Sequence, residues 1–436
     1  MTSTVTVGDF RQEMKVLGLI STGHLLSHFF FLTLPPLFVF IRADLGLSYT
    51  ELGLMMTLLY GVTAVAQIPA GFLVDRVGAR VVLTAGLFLM SACFALVGLS
   101  PEMGRALAGL GLPFDATFGL MLFWLALAGI GNSVFHPADY AILNSSINPA
   151  RMGRAFSIHT FFGHLGFALA PATMLFLAAL TDWKLALVIA GLIGIATMFA
   201  MVSQWNSLHD DALLPNKEKS DTPTIDVETD VETDMPGQTK ASPTKEGLAL
   251  LFSAPMLLFF LFFAALGMTA SGVQAFLVVA LVGLDVAPLE IAGYALTAYL
   301  FASAAGILLG GGIADRTQRH DLTAVIAFVI TGAIMLSMTL FNPGAILLCA
   351  VMVIAGLCQG IIRPARDMML RAASPKGSTG KVFGFVSAGI AAGATGAPAL
   401  FGIIMDANKP AWVFYLLAFF MVIAIFSIVI PKPKHR

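Results

Sequence analysis

Twelve apolar runs, each about twenty residues or longer, recur along the whole chain, near 15–41, 50–73, 81–99, 117–147, 153–179, 184–205, 248–283, 288–312, 321–341, 344–372, 379–405 and 411–430. A helix needs roughly 20 residues to cross the hydrocarbon core of a bilayer, and it is the open-chain element that satisfies its own backbone hydrogen bonds there. The runs therefore predict an all-α membrane protein with twelve transmembrane helices. Composition agrees: 58% of the 436 residues are hydrophobic and 11% are charged, where about a quarter charged is usual for soluble domains.

A formal net charge of −1 and the lack of a basic arm give no electrostatic case for a nucleic-acid partner. The three cysteines, Cys93, Cys349 and Cys358, sit inside apolar runs without metal-ligand spacing, so neither a disulfide framework nor a metal site is expected. The polar start, with Asp9, Arg11, Glu13 and Lys15, leads into a run too long for a cleavable signal. The first helix is expected to act as signal and anchor.

One long polar segment, 206–247, has no apolar periodicity and reads as a disordered cytoplasmic linker. It separates an N-terminal six-helix bundle, 1–205, from a C-terminal one, 248–436. Lysine and arginine placement sets the orientation. Arg11, Lys15, Arg76, Arg80, Arg151, Arg154, Arg316, Arg319, Arg371, Lys376 and Lys381 fall on the face of the termini and linker, against Arg42, Arg105, Lys184 and Lys409 on the other. Both termini are expected in the cytoplasm, in a multi-pass inner-membrane protein that works as a monomer.

The two halves repeat each other. His136-Pro137-Ala138, Arg154-Ala155-Phe156, Gly166 and Pro171 correspond to Arg363-Pro364-Ala365, Lys381-Val382-Phe383, Gly393 and Pro398, every pair 227 residues apart. Gly71, Asp75 and Arg76 correspond to Gly311, Asp315 and Arg316 at an offset of 240, so the first half is expected to carry a longer outer loop, around Pro101 to Thr117. Duplication is the economical explanation.

Between the second and third runs stands GFLVDRVGAR, Gly71 to Arg80, and between the eighth and ninth stands GGIADRTQRH, Gly311 to His320. The first resembles the loop signature of the major facilitator superfamily, and the second departs from it at Gln318. The resemblance implies two pseudo-symmetric bundles that alternate access to a central site. It also implies that Asp75 approaches the start of the eleventh helix and Asp315 that of the fifth, with Arg76 and Arg316 beside them, so that the cytoplasmic side locks closed. Solvated loop charges of the positive-inside kind are the plainer reading. The fourth run carries GIGNSVFHPADY, Gly129 to Tyr140, which resembles the fosmidomycin-resistance branch of the superfamily.

Pro137 and Pro364 each remove a helix hydrogen bond within the membrane, so a bend is expected at both. His136 and Asp139 flank the first proline, and Arg363 and Arg366 the second, with Asp367 adding a carboxylate near Arg363. An intramembrane charge costs at least about 2.5 kcal/mol, so none is expected to face lipid. Two readings stay open. In one, Arg363 and Arg366 attract an anionic solute while His136 and Asp139 exchange protons. In the other, Asp139 pairs with an arginine of the opposite half as a gate latch.

His24 and His28 share one face of the first helix, with Ser21 and Ser27 nearby, and are expected to face a central cavity, where imidazole titrates near neutrality. His159 shares a stripe with Gly163, Gly166 and Ala170 that suggests close packing beside a polar site, and at most one of His159 and His164 is expected to share the cavity. Tyr60, Gln67, Asn132, Gln274, Tyr294, Tyr299 and Gln359 are further cavity candidates. Interhelical glue is the plainer role for about half of them.

With no nucleotide-binding motif and no cofactor indicated, these features point to a secondary transporter of a small organic, anionic solute coupled to protons, with the branch resemblance tilting direction toward export. Uptake of a carboxylate by proton symport is the rival. A membrane enzyme or metal protein built on histidines is disfavoured, because His24 and His28 lack the acidic partner of a metallohydrolase helix.

Overall fold

The computed structural model describes residues 10–109, 116–148, 151–208, 250–374 and 379–429. Twelve helical spans long and apolar enough to cross a membrane run through it, and no strand occurs among the described residues. Local signals set the ends of several. The second span, Tyr49–Val77, opens on a capping box in which Ser48 and Glu51 satisfy each other's backbone N–H groups. Gly46, at φ 68°, stops the helix before it in the left-handed conformation that glycine tolerates. The sixth, Trp183–Ser203, is capped by Asp182 accepting from the Leu185 N–H at 2.8 Å.

Most expected boundaries agree, and the exceptions have backbone reasons. The first span, Phe10–Leu45, is interrupted by a 3-10 turn at Pro35–Leu37, where two consecutive prolines lack donors. The third, Ala79–Ala108, runs on through Pro101, so the expected outer loop begins later than the end of the apolar run suggested; residues 110–115 lie outside the described ones. The two membrane prolines behave differently. The fourth span breaks into Ala116–Ser133 and Phe135–Ser146 just before Pro137, whereas the tenth, Gly344–Ala373, stays one helix through Pro364. Of the expected linker, 209–247 lie outside the described residues; Leu208 is buried, and Gln12 donates to the Ser207 carbonyl at 3.3 Å.

Spans one to six and seven (Ala254–Gly283) to twelve each pack as a bundle, and the halves meet chiefly through the second against the eleventh and the fifth (Met152–Leu180) against the eighth (Leu289–Arg316). Phe259, Phe262 and Phe263 are packing residues, buried inside the second bundle. At the end remote from the termini the halves are sealed. Asp406, ending the eleventh span (Thr379–Asp406), accepts from the Tyr49 and Thr50 N–H groups at 2.7 and 2.8 Å and from the Thr50 hydroxyl at 2.6 Å. Arg42 adds an ion pair to Asp406 at 3.5 Å, and Thr57 donates to the Thr395 carbonyl at 2.8 Å. Near the termini, Glu13 is fully buried and takes two bonds from Arg151, at 2.6 and 2.8 Å. That pair ties the first span to the loop before the fifth, within one half.

Candidate functional site

A cavity of about 460 Å³ lies between the halves, on the terminus side of this seal. His28, Tyr60, Gln67, Asn132 and His136 line it from the N-terminal half, and Gln274, Gln359, Arg363 and Arg366 from the C-terminal half. Phe31, Phe135, Phe167, Leu266 and Ile390 supply apolar wall. A mostly apolar chamber with a few converging polar groups is the usual form of a small-molecule site.

Tyr299 lines a small adjoining pocket rather than the main chamber, and Tyr294 departs from expectation: it is 57% exposed and lines neither. Asp367 is exposed and pairs with Arg366 at 2.7 Å; it lies near enough to Arg363 to act on its charge, but Arg363 makes no ion pair among the described residues.

His24 does not line the chamber either. It lies behind His28, buried against Asp139 of the fourth span and His159 of the fifth, Met152–Leu180. The Asp139 carboxylate is fully buried, with one oxygen 3.3 Å from His24 Nδ1 and 3.4 Å from His159 Nε2. Both distances exceed those of a full-strength charge-assisted hydrogen bond. Asp139 therefore has histidine partners in its own half, and the expected latch to an arginine of the other half is not formed.

Gly163 makes this arrangement possible. A methyl group there would fall 2.6 Å from His24 Nε2, and one at Gly166 would collide with the Leu25 carbonyl. The first and fifth spans approach closely because their contact stripe has no side chains, as the His159–Gly163–Gly166–Ala170 pattern suggested.

From this triad the histidines form a file toward the other half. His24 stacks on His159 at 4.0 Å between ring centroids and touches His28 at 4.5 Å and His136 at 5.4 Å. His28 lies 6.3 Å from His164, which shares the small pocket with Arg363. Neither the triad nor the part of His164 was legible in sequence, because each joins residues from different helices. His24, Asp139 and His159 offer three ligand atoms within 4.8 Å of one another and could hold a metal ion. Both nitrogens approach the same carboxylate oxygen, an arrangement equally able to share a proton among the three groups.

Asp75, Arg76, Asp315 and Arg316 end the second and eighth spans on the terminus face, all exposed, and none of the four is in an ion pair among the described residues. Side chains 375–381, where Asp75 was expected to dock, lie outside the described residues. Asp315 makes no ion pair with the start of the fifth span among the described residues.

The Major Facilitator Superfamily model matches residues 20–291 and 275–436. The chain belongs to the Major Facilitator Superfamily. It is 25% identical over 438 residues to the fosmidomycin resistance protein of Escherichia coli K12, covering 98% of this chain and 95% of that one. A 156-residue stretch, 36% of this chain and 31% of the other, is 26% identical to a probable L-galactonate transporter of the same organism. Among solved structures, a bacterial homologue of the human lysosomal transporter Spinster, in an inward-facing and occupied conformation, superposes with a TM-score of 0.71 at 15% identity, with 97% of each chain covered. The chain is thus a multi-pass membrane transporter of small solutes with two pseudo-symmetric six-helix bundles.

Proposed function

We propose that this transporter exports a small organic anion across the inner membrane by alternating access, driven by exchange with protons. One observation carries the reading: Arg363, in no ion pair among the described residues, faces the chamber from one half, and His28 and His136, backed by the buried Asp139 triad, face it from the other. An arginine without a counter-ion in a low-dielectric chamber favours an anionic occupant. A buried carboxylate shared by two imidazoles is suited to taking and releasing a proton. Similarity to the fosmidomycin resistance protein supports the outward direction.

Both termini and the linker, 206–247, lie in the cytoplasm in this reading, so the seal at Asp406 closes the outer side and the chamber faces inward. The linker tethers two bundles, 1–205 and 248–436, of a monomer. A second reading, proton-coupled uptake of a carboxylate, is favoured by His164 beside Arg363, where an anion and a proton would bind together. The partial similarity to a probable L-galactonate transporter supports it too.

Proteoliposome flux under an imposed pH gradient separates the two. Accumulation on the acidic side is expected for antiport, and accumulation on the alkaline side would establish symport. A thermal-shift screen of anionic metabolites and antibiotics supplies the solute, and Arg363→Ala is expected to abolish its binding in a protein that remains folded.

A further inference from the structure

Beside the main chamber lies a pocket of about 10 Å³, room for a single water-sized particle. Its polar lining comes from His164 of the fifth span, Tyr299 and Ser303 of the eighth, and Gln359 and Arg363 of the tenth, with Gln274 of the seventh at its edge. His164, Tyr299, Ser303 and Gln359 are all at least nine-tenths buried. No carboxylate lines it. The hydroxyls and amides can donate, and the guanidinium can only donate.

The state of His164 decides what the pocket accepts. Its Nδ1 lies 2.9 Å from the Thr160 carbonyl oxygen. A carbonyl only accepts, so the ring proton sits on Nδ1, and Nε2 of the neutral ring carries a lone pair. Nε2 is buried without a hydrogen-bond partner among the described residues. A lone pair repels an anion held by Arg363. One added proton turns it into a second donor.

We infer that His164 and Arg363 form a proton-linked anion subsite spanning the two halves, in which one anionic atom, a halide or a carboxylate oxygen, binds together with one proton on His164. The inference rests on the anion-carrying chamber common to both proposed readings, and the joint binding of anion and proton that it adds belongs to the symport reading. The other ionisable groups facing His164 are His28 from the first span, with His136 of the fourth and His24 behind it, Tyr299 from the eighth, and Arg366 from the tenth, already paired with Asp367. Asp139, the buried acid of the half, lies beyond His24. Linkage fixes the sign: an anion that favours protonated His164 binds more tightly as pH falls, by up to about tenfold per pH unit.

Equilibrium binding of radiolabelled chloride and, separately, acetate to purified full-length protein at pH 5.5 and 8.0 tests this, with a bulky morpholine sulfonate as the only other anion. At least one probe is expected to bind roughly tenfold more tightly or better at pH 5.5. Chloride binding marks a free-ion site, and acetate binding alone marks a seat for the head of the solute. His164→Gln is expected to flatten the pH dependence, and Arg363→Gln to remove binding at both pH values. Failure of both probes to bind wild type, equal affinity at the two pH values, or an unchanged pH ratio in His164→Gln would overturn the inference. If Arg363→Gln does not fold, the wild-type ratio and His164→Gln decide. No gradient is imposed, so failure of proton-driven flux leaves this result intact, and failure of anion binding leaves a flux result intact.

Discussion

Asp406 caps the helix that begins at Tyr49 and Thr50 in the opposite half, taking both of their backbone N–H groups and the Thr50 hydroxyl. A helix start has donors with no intrahelical partner, and a carboxylate there also meets the positive end of the helix dipole. The contact joins the halves only while this end is closed.

Asp406→Ala is therefore expected to loosen the seal. Loss of an N-cap costs about 1 kcal/mol, roughly a fivefold change in the closed population. Distances between spin labels at Arg105 and Asn408, in a background without Cys93, Cys349 and Cys358, should broaden toward longer values; an unchanged distribution would mean that the cap does not hold the closed state.

Asp139→Asn removes the acid that His24 and His159 share. The folded protein should persist, because amide and carboxylate have nearly the same volume. Flux measured from pH 5 to 8 is expected to lose its dependence on pH, and a profile superimposable on wild type would exclude Asp139 as the titrating group.

Gly163→Ala would place a methyl group 2.6 Å from His24 Nε2. Overpacking of this kind costs about 1–3 kcal/mol, and the His24 ring must leave Asp139. Lower thermal stability and weaker coupling are expected together. Gly153→Ala, where no atom lies within 4 Å of the added carbon, serves as the control and should change neither.

Glu13→Gln tests the tie near the termini. The fully buried carboxylate accepts both arms of a guanidinium, a fork that an amide cannot match. The unfolding midpoint is expected to fall by several degrees with solute affinity unchanged. A change in affinity instead would give the pair a role in the chamber.

The twelve spans were legible because each is a local property, apolar length, and the duplication because its landmarks keep a fixed offset. Cavity residues on the predicted polar faces, such as His28, Asn132 and Gln359, were legible for the same reason: helical period sets facing direction. Tyr294 misled because it lies at the outer rim of its span, where an aromatic side chain is equally at home against lipid. Pairings between helices left no sequence signature. Nothing in the spacing placed Asp139 between His24 and His159, set His164 beside Arg363, or brought Asp406 to Thr50, since each depends on how whole helices lean on one another. The end of the third span was missed because Pro101 lies in a helix that continues through it.

The unequal prolines give the two bundles different mechanics. The break before Pro137 puts a joint in the fourth span two residues from His136 and five from Asp139, while its counterpart at Pro364 lies in an unbroken rod. Motion within the protein should then be distributed unevenly: the first bundle flexes around its own protonatable groups, and the second swings as a solid body carrying its arginines. Paired labels across the Pro137 joint should change separation during turnover, and equivalent labels across Pro364 should hold theirs, as a hinged jaw closes on a fixed anvil.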